Sequence, residues 1–264
     1  MTTGAQNIRH AVNDAFFDTV GVQQAWLIGF LAADGNVERG GRWWSISQTG
    51  EDGRRVLEAV RAMIGFAGAL QARGPATVLR VNSPRMVARL AEFGVVPAKP
   101  LIYGFPANLA PALIPAFLRG YVEGDGSAGV YHSGTASDPV LSFVGTCQFV
   151  EVTRTHTPRR GKWRTIRRAA NLAEVRWYDQ EAPLVADWLW ANPDLPPSRK
   201  REITIAFLAD HVPRYAPYHQ RKQATAELLA AGVSVPEVVA RLGVPFQTVY
   251  KWRVSQKGDT CKSI

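Results

Sequence analysis

The chain has 264 residues, 46% hydrophobic and 20% charged, with a net charge of +9 and a pI near 9.9. It is long enough for one large domain, alone or with a small module, and its cationic excess selects a polyanionic partner, nucleic acid before membrane. Two cysteines, Cys147 and Cys261, make no disulfide framework and match a reducing compartment, and Pro106, Pro111 and Pro115 exclude a membrane-spanning helix from the longest uncharged run.

The opening stretch, MTTGAQNIRHAVNDAFF, lacks a basic-then-apolar signal pattern. The expected setting is therefore the cytoplasm, prokaryotic or phage-encoded, with an organelle left open. The first marked element is WLIGFLAADGN, residues 26–36, an apolar helix closed by Asp34-Gly35. Ala25, Gly29 and Ala33 recur every four residues and so share one helix face. Next, NVERGGRWWSISQ reads as strands around a Gly-Gly turn, and TGEDGRRVLEAVRAMIG as a helix with Val56, Leu57, Val60, Met63 and Ile64 on one face. ALQARGPATVLRV reads as strand, Gly-Pro turn, strand. NSPRMVARLAEFG has a Ser cap, a Pro at the first helical position and a closing Gly.

The order then repeats. FLRGYVEGDGS ends in Asp125-Gly126, 91 positions after Asp34-Gly35, and Ala116, Gly120 and Gly124 form a second small-residue stripe. A glycine inside a helix costs roughly 1 kcal/mol relative to alanine. Glycines at matched positions therefore predict that the two helices pack through their stripes, as small-xxx-small pairs do. The Asp-Gly ends predict a left-handed backbone at each glycine. They also place two carboxylates beside two negative helix ends, a frustration that a divalent cation relieves. GVYHSGTASDPVLSFVG reads as a hairpin and TCQFVEVTRTHTP as a short helix. GKWRTIRRAA and AEVRWYD read as strands around an Asn-Leu turn, and QEAPLVADWLWAN as a helix. The period is too long for a solenoid and predicts a duplicated domain with a pseudo-two-fold axis.

Basic and aromatic residues crowd the predicted strands, and no acid lies between Val152 and Ala173. A phosphate-tracking surface is expected, with Arg42, Trp44, Arg80, Lys162, Arg164, Arg167 and Arg176 as DNA contacts. After the linker-like HVPRYAPYHQ come RKQATAELLAAG, SVPEVVARLGV and PFQTVYKWR. The spacing of Val239, Gly243 and Val249 fits a helix-turn-helix. Gln247, Thr248, Tyr250, Lys251 and Arg253 would then be free for bases and phosphates.

The paired stretches WLIGFLAADG and FLRGYVEGDG resemble the signature of the LAGLIDADG homing endonucleases, in the single-chain, two-motif form, over residues 20 to 207. FGVVPAKPLIYGFP is similar to the family's connector, and LWANPDLPPSRKREI to the close of a second repeat. The resemblance implies an α+β fold: a duplicated αββαββα unit about two packed helices, plus the small all-α helix-turn-helix. The boundaries expected are 20–110 and 111–210 for the repeats and 217–256 for the tail module. It implies a monomer that makes a metal-dependent double-strand break in duplex DNA with short 3′ overhangs. Asp34 and Asp125 would hold Mg²⁺, with Mn²⁺ as a substitute, beside the carbonyls of Ala33 and Gly124. Lys99, Lys200 and Gln48 would complete the catalytic groups, and Ala25, Gly29, Ala116 and Gly120 the helix interface. The chain departs from the pattern at Ala32, where many members carry an acid; Glu123 keeps it in the second motif. Intein splicing blocks are absent, so a free-standing enzyme is expected. The same scaffold also serves non-catalytic transcriptional regulators with a C-terminal helix-turn-helix, and intron RNA maturases. The retained Asp34 and Asp125 argue against the first.

Overall fold

A computed structural model describes residues 10–99, 102–133, 136–166, 169–210 and 216–259. The chain divides into two compact units, residues 1–211 and 212–264. The first unit contains two copies of one order. The first copy runs α1 (Val22–Asp34), β1 (Gly35–Val37), β2 (Trp43–Thr49), α2 (Gly50–Met63), β3 (Gln71–Arg73), β4 (Ala76–Asn82) and α3 (Pro84–Ala91). The second runs α4 (Ile114–Asp125), β5 (Gly126–Ser133), β6 (Ala136–Thr146), α5 (Cys147–His156), β7 (Lys162–Ile166), β8 (Ala169–Tyr178) and α6 (Glu181–Leu189). A further helix, α7 (Arg199–Asp210), follows. Each copy builds an antiparallel four-stranded sheet, in the orders β1-β2-β4-β3 and β5-β6-β8-β7.

The two copies meet at α1 and α4, and the small-residue stripes explain how. A Cβ on Gly29 would stand 1.9 Å from the Phe117 carbonyl oxygen, and one on Gly120 would stand 1.9 Å from that of Trp26. Both glycines and both carbonyls are 91 positions apart, so the contact is one contact made twice about a two-fold axis. Nothing larger than hydrogen fits, because the obstacle is backbone and cannot rotate away. Flanking the stripes, Trp26, Leu27, Ile28, Phe30, Phe117 and Leu118 are buried in one continuous core. Ala25 and Ala116 are buried beside them.

At the two helix ends the structure corrects the expected turn. Gly35 (φ −72°, ψ 151°) and Gly126 (φ −82°, ψ 160°) are extended, not left-handed. The chain passes straight from helix into strand, and each glycine N–H still donates to the carbonyl four residues back, Leu31 or Val122. Glycine is required by space: a Cβ would lie 2.5 Å from the Leu31 oxygen or 2.3 Å from the Val122 oxygen.

Other expectations hold. Val56, Leu57, Val60 and Ile64 are buried in or beside α2. The Ser83 hydroxyl accepts from the Met86 N–H at 3.2 Å and caps α3. The turn after β7 differs. Asn171 and Leu172 lie within β8, Leu172 opposite Thr146, and Ile166 of β7 already pairs with Ala169 of β8.

In the second unit, α8 (Ala216–Ala230), α9 (Val235–Leu242) and α10 (Phe246–Asp259) enclose Val235, Val238, Val244, Val249 and Trp252. Helix α8 begins inside the stretch expected to be linker. Gly243 has φ 60°, the left-handed conformation that ends α9 and turns the chain toward α10. The Trp252 indole N–H donates to the Tyr218 hydroxyl at 3.0 Å and ties α10 to α8.

Candidate active site

Asp34 and Asp125 are the last residues of the two axial helices, and both are exposed. The helix ends are close together. A Cβ on Gly124 would lie 2.4 Å from the Ala33 Cβ and 3.1 Å from the Asp34 Cγ. Ala33 and Gly124 are two-fold mates, and only one of them can carry a methyl group.

Each helix end is met by a lysine. Lys99, in the connector after α3, is only 4% exposed, and its ammonium donates to the Gly35 carbonyl. The residue before it, Ala98, has φ 58°, a left-handed conformation costing about 1–2 kcal/mol outside glycine. The connector is pinned further along: the Thr146 hydroxyl donates to the Tyr103 carbonyl at 2.6 Å. Lys200, in the first turn of α7, donates to the carbonyls of Val122, Glu123 and Gly124 at 2.8, 2.6 and 3.0 Å. Three ammonium donors thus meet three carbonyls of the last helical turn, of which that of Val122 also accepts from the Gly126 N–H. Burial lowers the pKa of both lysines; nearby carboxylates oppose it, Asp125 and Asp34 for Lys99, and chiefly Glu123 for Lys200.

Lys200 is placed by a clamp that the sequence did not reveal. Arg119, only 3% exposed on α4, donates to the carbonyls of Asn192, Leu195 and Pro196 at 2.6, 3.2 and 2.8 Å. This fixes the loop leading to Ser198 and Lys200. Glu123 hydrogen-bonds with Ser198 in the same place, and burial raises its carboxyl above the usual range.

The Asp34 carboxylate accepts from the Gln48 side-chain N–H at 2.6 Å. Trp44, Ile46 and Gln48 alternate on the inward face of β2. The first two fill the core, and Gln48, past its edge, reaches the helix end. Asp125 is raised above the usual carboxylate value, by partial burial first and by the negative charge of Asp34 second. Its exposure to solvent limits that shift.

The donor set suits a hard divalent cation: two carboxylates and the carbonyls at Ala33 and Gly124, all oxygen. Among the described residues no group of three or more His, Cys, Asp or Glu side chains forms a metal site, so water and phosphate oxygens would complete the shell. Burial first and the Asp34 charge second raise the Asp125 carboxyl, and a bound cation would offset both.

The expected DNA contacts divide by strand parity. Trp44 is fully buried, with Ile46, Leu79 and Val81 around it in the sheet's inner face, and cannot touch DNA. The outward residue is its neighbour Trp43, over which the Arg80 guanidinium sits 3.9 Å from the ring centroid. Arg42 precedes β2, is exposed and pairs with Glu38 at 3.3 Å. In the second sheet Lys162 lies opposite Arg176 on the outward face, and Arg164 lies opposite Glu174. Glu174 pairs with Arg176 at 2.7 Å and Arg164 at 3.2 Å, an acid just beyond the acid-free stretch. Arg167 lies outside the described residues. On α10, Gln247, Tyr250, Lys251 and Arg253 are exposed, Thr248 is half-buried, and Val249 and Trp252 point inward.

Residues 217–260 match the model of a homeodomain-like domain. No curated protein matches the chain by sequence. Among solved structures, the I-LtrWI LAGLIDADG homing endonuclease bound to target DNA is similar at TM-score 0.52 and 10% identity, covering 75% of this chain and 90% of that one. LAGLIDADG homing endonuclease I-GzeII in complex with its DNA target gives 0.51 and 11%, covering 81% and 92%. LAGLIDADG meganuclease I-AabMI bound to uncleaved DNA gives 0.51 and 12%, covering 72% and 90%. The chain therefore has the LAGLIDADG homing-endonuclease fold, followed by a homeodomain-like helix-turn-helix.

Proposed function

We propose that the chain is a site-specific endonuclease that breaks both strands of duplex DNA in a divalent-metal-dependent reaction and leaves short 3′ overhangs. The observation that carries this reading is the pair of exposed carboxylates, Asp34 and Asp125, at the neighbouring ends of two helices locked side by side through Gly29 and Gly120, with a lysine at each of those ends. A regulator that only bound DNA would have no use for that arrangement. Structures similar in fold are DNA-bound endonucleases, which supports the substrate class.

Asp34, Asp125 and the carbonyls of Ala33 and Gly124 would hold Mg²⁺. When bound, the metal supplies an activated water and neutralises charge at the scissile phosphate. Gln48 orients the Asp34 carboxylate. Lys99 and Lys200 set positive charge against the two helix ends, where a phosphate would otherwise be repelled. Arg119 keeps Lys200 in place through the loop it binds. The outward faces of the two sheets, with Arg80 and Trp43 on one and Lys162, Arg164 and Arg176 on the other, would track the backbone and read base edges. The repeats would span residues 20–110 and 111–210, acting as one monomer, and the module at 217–256 would add affinity through α10. Among the described residues no helix is long and apolar enough to cross a membrane.

The test is cleavage of the uninterrupted allele of the chain's own insertion site. Mg²⁺ is expected to support double-strand cutting, and chelation to abolish it. An Asp34→Asn, Asp125→Asn double variant should lose at least about 100-fold in rate; full activity in that variant would overturn the assignment.

A further inference from the structure

The two helix ends are built by different means. In the first half, Gln48 reaches Asp34 from β2, at 2.6 Å. Gly53 makes the room: a Cβ there would lie 2.7 Å from the Gln48 Cβ. Position for position, the second half inverts this pair. Gln48 and Gly53, just before and just after the strand-to-helix junction at Thr49, correspond to Gly145 and Val150 around the junction at Thr146. The strand therefore offers no side chain to Asp125.

Helix α4 supplies what the strand lacks. Phe30 in α1 corresponds to Tyr121 in α4, one turn before the aspartate and on the same helix face. The Tyr121 hydroxyl donates to the Val144 carbonyl at 3.0 Å and stands within hydrogen-bonding reach of the Asp125 side chain, four residues on. A phenol carries one hydrogen, so carboxylate and carbonyl are alternative acceptors for it. Gly145 leaves the space in which this hydroxyl sits: a Cβ there would stand 3.2 Å from it. The ring is held by Phe149, centroids 4.3 Å apart, and by Phe143 at 5.5 Å. It is 4% exposed, so its one polar atom is aimed by packing.

We infer that Tyr121 is the positioning residue for Asp125, as Gln48 is for Asp34, and that each serves the cutting of one DNA strand only. The inference rests on the endonuclease reading for its kinetic half and on the chain alone for its structural half.

Both halves are tested on the full-length protein. In the DNA-free, metal-free chain, the ¹³C resonance of the Tyr121 Cζ should shift much more in Asp125→Asn than in Asp34→Asn, whose charge reaches the phenol only through space. An unmoved resonance in Asp125→Asn overturns the contact. On end-labelled duplex carrying the cleavage site, Asp125→Asn identifies the strand served by Asp125. Tyr121→Phe should slow that strand roughly 10–100-fold and leave the other unchanged, and Gln48→Leu should do the reverse. Equal slowing of both strands by Tyr121→Phe, or none, overturns the positioning role. If the wild-type chain cuts neither strand, the endonuclease reading fails, and the resonance experiment still decides whether Tyr121 engages Asp125.

Discussion

The first and second halves share one topology and differ in nearly everything laid upon it. At the axis the match is close: Gly29 meets Phe117 as Gly120 meets Trp26. In the sheets it loosens. Strands β1 and β3 have three residues each, whereas β5 has eight and β7 five. The outward chemistry diverges too, an arginine stacked on tryptophan in one sheet and two arginines shared by one glutamate in the other. Residues that hold two backbones together tolerate no drift, because a single atom is too much. Residues facing outward answer only to what they bind, and two unlike faces suit an asymmetric DNA site.

That contrast is breakable in three places. The largest effect is expected at the tryptophan pair of the first sheet. Trp44→Ala should cost about 3–5 kcal/mol of stability by emptying a core site. Trp43→Ala should leave stability within about 0.5 kcal/mol and weaken DNA binding roughly tenfold, by losing one stacked arginine contact. Denaturant melts and binding isotherms on both variants decide it, and a reversed pattern would mean the sheet faces the other way. Next come the axial glycines. Gly29→Ala and Gly120→Ala should each destabilise by about 3 kcal/mol, and by similar amounts, since each inserts a methyl group into a carbonyl. Unequal losses in urea unfolding would show that the axis is less symmetric than its atoms suggest.

The smallest effect is a pH dependence belonging to the second half. Burial raises the carboxyls of Glu123 and Asp125 above their ordinary 4.5 and 3.8, and Asp34 adds to the rise at Asp125. The native metal-free chain then holds these protons to higher pH than the unfolded chain does. Its stability falls as pH climbs from the ordinary values through the raised ones. Asp125→Asn should flatten that slope, and so should saturating Mg²⁺; thermal melts across the window measure both. In the first half Ala32 stands where Glu123 stands in the second, and contributes no such slope.

Much of this was legible in the sequence, and the remainder was hidden for physical reasons. The axial helices announced themselves because a glycine inside a helix needs a cause, and the same cost at a fixed interval points to one partner surface. Asp34 and Asp125 followed from where those helices stop. Trp44 was assigned the wrong face because adjacent tryptophans leave strand parity open; a one-residue slip exchanges core for surface. Reading Trp44, Ile46 and Gln48 as one alternating row would have settled it, and would have sent Gln48 inward as well. Lys200 came from the family resemblance, whereas Arg119 and Glu174 act through partners distant in sequence or across a sheet, which no local pattern displays. The extended backbone at Gly35 and Gly126 was missed because a helix-ending glycine ordinarily signals a left-handed turn, and here it signals crowding.

Ala33 and Gly124 carry a consequence for how the two halves can pair. They face each other on the axis, and a methyl group on both would place two carbons 2.4 Å apart. Two copies of the first half alone would bring Ala33 against Ala33 and could not close. Held in one polypeptide, the two halves divide the contact unequally, a methyl group on one side and a hydrogen on the other.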